Sequence, residues 1–267
     1  NTVEEKSMER KNPNLFLFAL LLISFSGSLA AEITIQKKLL FFFDKIEVRG
    51  NVDVFLVEGK RLREASIYAD TEIIDSIQVR VSQKTLFIDA NNTYEIARRL
   101  PFLRLKAERT FPVEIVISID ELREIRLLGK SNLTAKKLHS DQVSLFMASS
   151  GKLHIEDMIS KELNIVHDGA GDILLKGNGV DEIKIKVSEN GSLFAEELEV
   201  ERATLIHQGN GVAHLNPKNW LDARIHGNGN LFLHAKPDSL VIDQQGTGMV
   251  TDILPDSPSL YDLNATE

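Results

Sequence analysis

Apolar and polar residues alternate along most of this chain, and the alternation itself recurs about every 20 residues. The recurrence is easiest to see from the glycines at Gly151, Gly171, Gly191, Gly211, Gly229 and Gly248, spaced 20, 20, 20, 18 and 19 residues apart. Their surroundings repeat as Ser149-Ser150-Gly151, Gly169-Ala170-Gly171, Glu189-Asn190-Gly191, Gly209-Asn210-Gly211, Gly227-Asn228-Gly229 and Gly246-Thr247-Gly248, after a weaker copy at Gly129-Lys130-Ser131. Glycine and asparagine tolerate positive φ, so each copy predicts a tight turn. Two residues after the turn stand Leu133, Leu153, Ile173, Leu193, Ala213, Leu231 and Val250. Six residues before it stand Ile125, Leu145, Ile165, Ile185, Leu205, Ala223 and Ile242, with mostly polar residues such as Asn164 and Lys184 between the apolar ones. A period of two marks a half-buried β-strand.

A solenoid explains why residue types persist in columns. When each repeat is one coil, residues about 20 apart lie directly over one another at the ~4.8 Å strand spacing. An antiparallel meander accepts the same strands but gives the columns no reason to exist. The sequence therefore predicts an all-β chain whose residues 123–254 form parallel coils of about 20 residues. Leucine-rich and calcium-binding nonapeptide repeats lack their signatures here.

Residues 32–122 are β-rich without the strict period. Expected strands are Lys45–Val48, Val52–Val57, Ser66–Tyr68, Ile77–Val81, Thr85–Ile88 and Val113–Ile119. The run Leu39-Leu40-Phe41-Phe42-Phe43 is expected to be a buried strand, and Asn91–Thr110 a charged, irregular insertion. Residues 255–267 are expected to be a polar, acidic tail that covers or trails from the last coil.

At the other end, Asn1–Ser7 read as upstream residues with Met8 as a candidate start. Arg10 and Lys11 precede an apolar run from Leu15 to Phe25, and Ser28-Leu29-Ala30-Ala31 offers small residues for cleavage. That order describes a secretory signal peptide over residues 1–31, and the run is short against the roughly 20 residues that span a bilayer. The expected location is periplasmic, cell-surface or secreted, in a bacterium. A new N-terminus near Ala31 or Glu32, seen by mass spectrometry of protein from its host, is the expected result; an intact N-terminus would mean a retained anchor.

Composition removes several chemistries. The formal charge of −8, from 31 Lys and Arg against 39 Asp and Glu, argues against a nucleic-acid partner. Zero cysteine excludes thiol catalysis and cysteine-based zinc or iron–sulfur centres.

Order and spacing also resemble a known family. Phe43-Asp44-Lys45-Ile46-Glu47-Val48-Arg49-Gly50-Asn51-Val52-Asp53-Val54 is similar to the opening of the head GIN domain, described as a family of auto-transporter adhesins. Ile77-Gln78-Val79 leading to Thr85-Leu86-Phe87-Ile88, and Pro112–Ile117 followed by Leu122-Arg123-Glu124-Ile125 and Gly129, continue the likeness, which spans roughly residues 41–250. The resemblance implies a right-handed parallel β-helix and a surface or periplasmic location, and it brings no catalytic residues.

Candidate chemistry is sparse. His167 and His207 occupy the column four residues before the turn glycine, whose parity is inward. They are expected to be neutral, hydrogen-bonded core imidazoles about two coils apart, too far to share a metal, although a one-residue slip could bring His226 beside His207. Glu162, Glu182 and Arg202 form one column at the far turn, next to Lys161, Asp181 and Glu201. Stacked acids could form a retaining glycosidase pair or a cation site, whereas interleaved Lys161 and Arg202 suit an ordinary solvated turn. Trp220 could stack on a sugar. Four N-x-[ST] triplets, at Asn91, Asn132, Asn190 and Asn264, are short enough to arise by chance. No cofactor or metal is expected. The sequence thus predicts a non-enzymatic envelope or surface module that binds glycan or protein, with Glu162, Asp181, Glu182, Glu201 and Trp220 as candidate contacts. Its rival is a lyase or glycosidase on the same scaffold.

Overall fold

The computed structural model describes residues 32–59, 63–100 and 103–253; of residues 95–108 it describes only the backbone. The predicted signal segment and the tail lie outside the described residues. The described residues from Ile33 onward form one compact unit, and their strands build a β-solenoid of about six turns.

Each coil contributes one strand to each of two parallel ladders that meet at the glycine turn. In the first ladder, Glu124–Gly129 pairs with Gln142–Ser149, which pairs with Met158–His167. The stack continues through the longer strands Asp172–Val187, Ser192–His207 and Ala213–Ile225 to Ser239–Gln244. In the second ladder, Asn132–Ala135, Lys152–Ile155 and the early residues of those long strands lead to Leu231–Leu233 and Val250–Asp252. A shorter third side pairs Leu138 with Met158, and Ser160 with Val180 and then Val200.

The columns read from the sequence are real neighbours. Ile165 lies opposite Ile185 and Ile185 opposite Leu205, all at most 3% exposed. The side-chain alternation sends these residues inward from every coil, so one continuous apolar core runs the length of the stack. At the glycine turn the coils approach closely: a Cβ on Gly171 would collide with the carbonyl of Gly151, and one on Gly211 with the carbonyl of Gly191. Beside it runs an amide ladder, with Asn210 donating to Asn190 (2.7 Å), Asn228 to Asn210 (2.9 Å) and Thr247 to Asn228 (2.6 Å).

Stacking is not confined to residues 123–254. Thr85–Ala90 and Val113–Ile119 form the outermost parallel layer, and Lys45–Gly50 with Asp53–Glu58 forms the next, directly against Glu124–Gly129 and Asn132–Ala135. Space and sequence therefore run in different orders here: the layer made first lies between those made second and third. The chain reverses through antiparallel strands, Glu64–Asp70 on Val113–Ile119 and Gln78–Ser82 on Thr85–Ala90. These strands and the short 3-10 turn Ile74–Ser76 cover the end of the core with Ala65, Ile67, Ile73, Ile74 and Ile77. Ile33–Leu39 adds a further antiparallel strand on Glu64–Asp70.

Two expectations need correction. The insertion at Asn91–Thr110 is not irregular: Thr93–Leu100 and Leu103–Thr110 pair as an antiparallel hairpin that leaves and returns at a turn. Its base is fastened by buried Asn92, whose amide donates to the carbonyls of Asn51 and Phe111, both at 2.6 Å. Nor is Leu39–Phe43 a buried strand. The strand ends at Leu39; Phe43 is buried in the core and Leu40 packs half-buried against it, while Phe41 is 83% exposed.

Candidate functional site

The far-turn column is formed as the spacing predicts: Glu162 lies opposite Glu182, Glu182 opposite Arg202, and Arg202 opposite Trp220. Their chemistry is that of a neutralised surface. Lys184, two residues on from Glu182 and on the same face, reaches Glu162 at 3.2 Å and Glu182 at 3.1 Å. This bond, with a second from Asn164, pushes the Glu162 carboxyl below its usual range. A glycosidase acid needs the opposite shift. Asp181 and Glu201 are exposed at the turn, where Asn219 donates to Glu201. Among the described residues no group of three or more His, Asp or Glu is arranged to hold a metal.

His167 and His207 are both fully buried. His207 Nε2 bonds the carbonyl of Gly211 at 3.0 Å, and Gln244 makes the same bond to Gly248 at 2.7 Å, so this column ties the turn from inside. Neither ring nitrogen of His167 has a hydrogen-bond partner. The register sets Ile225, not His226, opposite His207; His226 faces out, 3.9 Å from Asp243. Burial lowers the pKa of His167, with Asp172 partly opposing it, and burial likewise lowers that of His207 against the Gly211 bond. Their unfolded pKa is about 6.5, so the stability they carry is complete above that pH and is lost as pH falls toward their folded values. The loss is at most about 1.4 kcal/mol per pH unit for each histidine. Urea titrations across that range should show it, and His167→Met should flatten the slope.

A feature the sequence reading passed over lies on the outer face of the second ladder. Three residues after each turn glycine stand His154, Leu174, Phe194, His214 and Phe232, and the register stacks them in a single outward row. Phe194 and His214 stack with centroids 5.3 Å apart, and His214 and Phe232 at 4.7 Å, each pair inclined by 28°. His214 Nδ1 and His234 Nε2 share a hydrogen bond of 2.9 Å. Beyond His154 the register places Thr134 and then Phe55. All are half-buried except Phe55, which is 37% exposed. The signal was in the sequence, in the column next to the inward one.

The protein so described is a β-solenoid with a capped N-terminal end, neutralised acidic edges and a long outward row of apolar and aromatic side chains. Residues 42–237 match the family model described as "Putative auto-transporter adhesin, head GIN domain", and the chain belongs to that family. Solved structures share the fold. One described as a "putative adhesin" from Bacteroides fragilis has a TM-score of 0.74 at 20% identity, covering 84% of this chain and 98% of its own. Another "putative adhesin", from Parabacteroides merdae, has a TM-score of 0.59 at 18% identity, with 84% and 97% covered. A "putative lipid binding protein" from Parabacteroides distasonis has a TM-score of 0.59 at 17% identity, with 84% and 98% covered. No curated protein matches the chain.

Proposed function

We propose that this is an exported, non-enzymatic adhesion module that binds a protein on a neighbouring cell or envelope surface through the outer row of its second ladder. Membership of the adhesin family supports the adhesive reading, and the basic, apolar, small-residue order of residues 8–31 supports export. Among the described residues no helix is long and apolar enough to cross a membrane.

The observation that carries the choice of a protein over a glycan is the stacking geometry. Sugars bind aromatic residues by lying on an open ring face. In the row Phe194, His214, Phe232 the faces are turned to one another and only edges point out. Such a strip of apolar edges, flanked by charged residues such as Lys152, Asp172 and Lys176, suits side chains packing from a protein surface. The enzymatic alternative draws on Glu162 and Glu182, and their shared bond to Lys184 opposes it.

Beads coated with residues 32–267 and offered to epithelial cells test the reading. Adhesion should fall to background after trypsin treatment of the cells and survive periodate oxidation of their glycans. The reverse pattern would give the role to a glycan. In parallel, acidic polysaccharides should remain intact on incubation with the protein; cleavage that disappears in Glu182→Gln would establish the enzyme instead.

A further inference from the structure

The chain is acidic overall, at −8, yet the capped N-terminal end gathers cations around exposed apolar side chains. After the strand Ile33–Leu39 the chain continues through Leu40–Phe42 to a bend at Asp44, with Leu39 75%, Phe41 83% and Phe42 48% exposed. This segment is held in place. The Leu40 N–H donates to the Arg63 carbonyl at 2.8 Å, and the Asp44 N–H donates to the Lys84 carbonyl at 3.0 Å. Around it the Arg63 guanidinium sits 4.8 Å, and the Lys84 ammonium 5.8 Å, from the centroid of Phe42. Lys84 is presented by the tight turn Gln83-Lys84, both residues at positive φ. A shallow depression adjoins this segment, with Leu39–Phe41 on one wall, Val79–Val81 on the other, and Lys38 and Arg80 among its lining residues.

Exposed phenylalanine and leucine side chains in a cluster are costly unless they serve an interface. Among the described residues Lys38, Arg80 and Lys84 form no ion pair, and Arg63 has only Asp120 at 3.8 Å. Apolar side chains able to enter an acyl boundary, ringed by cations free to meet phosphates, are the two components of interfacial membrane binding. We propose that this end of the solenoid docks onto the surface of an anionic phospholipid bilayer, with Leu39, Phe41 and Phe42 inserted and Lys38, Arg63, Arg80 and Lys84 against headgroup phosphates. The outer row of the second ladder plays no part in this contact, so either proposal can fail alone.

Residues 32–267, which lack the apolar run, are mixed with vesicles of phosphatidylcholine alone or of equal parts phosphatidylcholine and phosphatidylglycerol, and sedimented. The protein should pellet with the mixed vesicles only, and high salt should weaken binding by screening. Leu39→Ser with Phe41→Ser, and separately Lys38→Glu with Lys84→Glu, should each reduce the bound fraction about tenfold or more. Leu39, Phe41 and Lys84 are exposed and Lys38 is half-buried, and unchanged urea midpoints will verify that the variants fold. Failure to pellet with anionic vesicles overturns the proposal. So does equal binding by folded variants, or binding indifferent to phosphatidylglycerol.

Discussion

Replacing Ile185 by Asp should cost at least about 4 kcal/mol or prevent folding. Ile185 is 3% exposed and lies between Ile165 and Leu205 in the central column. A carboxylate there has neither a cation nor a hydrogen-bond donor within the apolar stack. It can only stay charged without solvent or take up a proton at a cost. Since domains are stable by about 5–15 kcal/mol, this one change consumes much of the margin. Lys186→Asp, one residue along and facing solvent, should change the stability read from urea titration by no more than about 0.5 kcal/mol. Equal behaviour of the two variants would mean that the columns are misassigned.

The second large effect is expected at the turn. Gly211→Ala should destabilise by about 2–4 kcal/mol, because the new Cβ meets backbone, the carbonyl of Gly191, which cannot move without separating two coils. Gly179→Ala is the matched control. Its Cβ would find only Ile159 Cγ2, at 3.9 Å, and lower chain entropy in the unfolded state should leave it neutral or slightly stabilising. The contrast separates close packing of coils from a general intolerance of alanine.

The two substitutions also mark what the sequence could and could not convey. Gly151 through Gly248 stand at nearly fixed spacing because each turn must fit under the next, so one steric demand is written into the chain several times. Burial of His167 and His207 followed from the same columns. The layers below were opaque for a physical reason. Alternation in Lys45–Gly50 and Thr85–Ala90 shows that a strand has one buried face and says nothing about which strand lies beside it. Their interleaved order rests on long-range pairing. Phe41 and Phe42 misled because a short apolar run looks the same whether it enters a core or bends across a surface. The Phe194, His214, Phe232 row was legible in principle, but its residues alternate with the inward column, where outward positions are ordinarily polar.

The adhesive account rests on that row, and adhesion of a row variant tests it most directly. Beads carrying Phe194→Ser with Phe232→Ser should lose most of their attachment to epithelial cells. Beads carrying Val166→Ser, an exposed apolar position on the outer face of the first ladder, should attach like the unmodified protein, with folding of both verified by urea unfolding. Full attachment by the folded double variant would contradict the account and move the binding surface elsewhere on the solenoid.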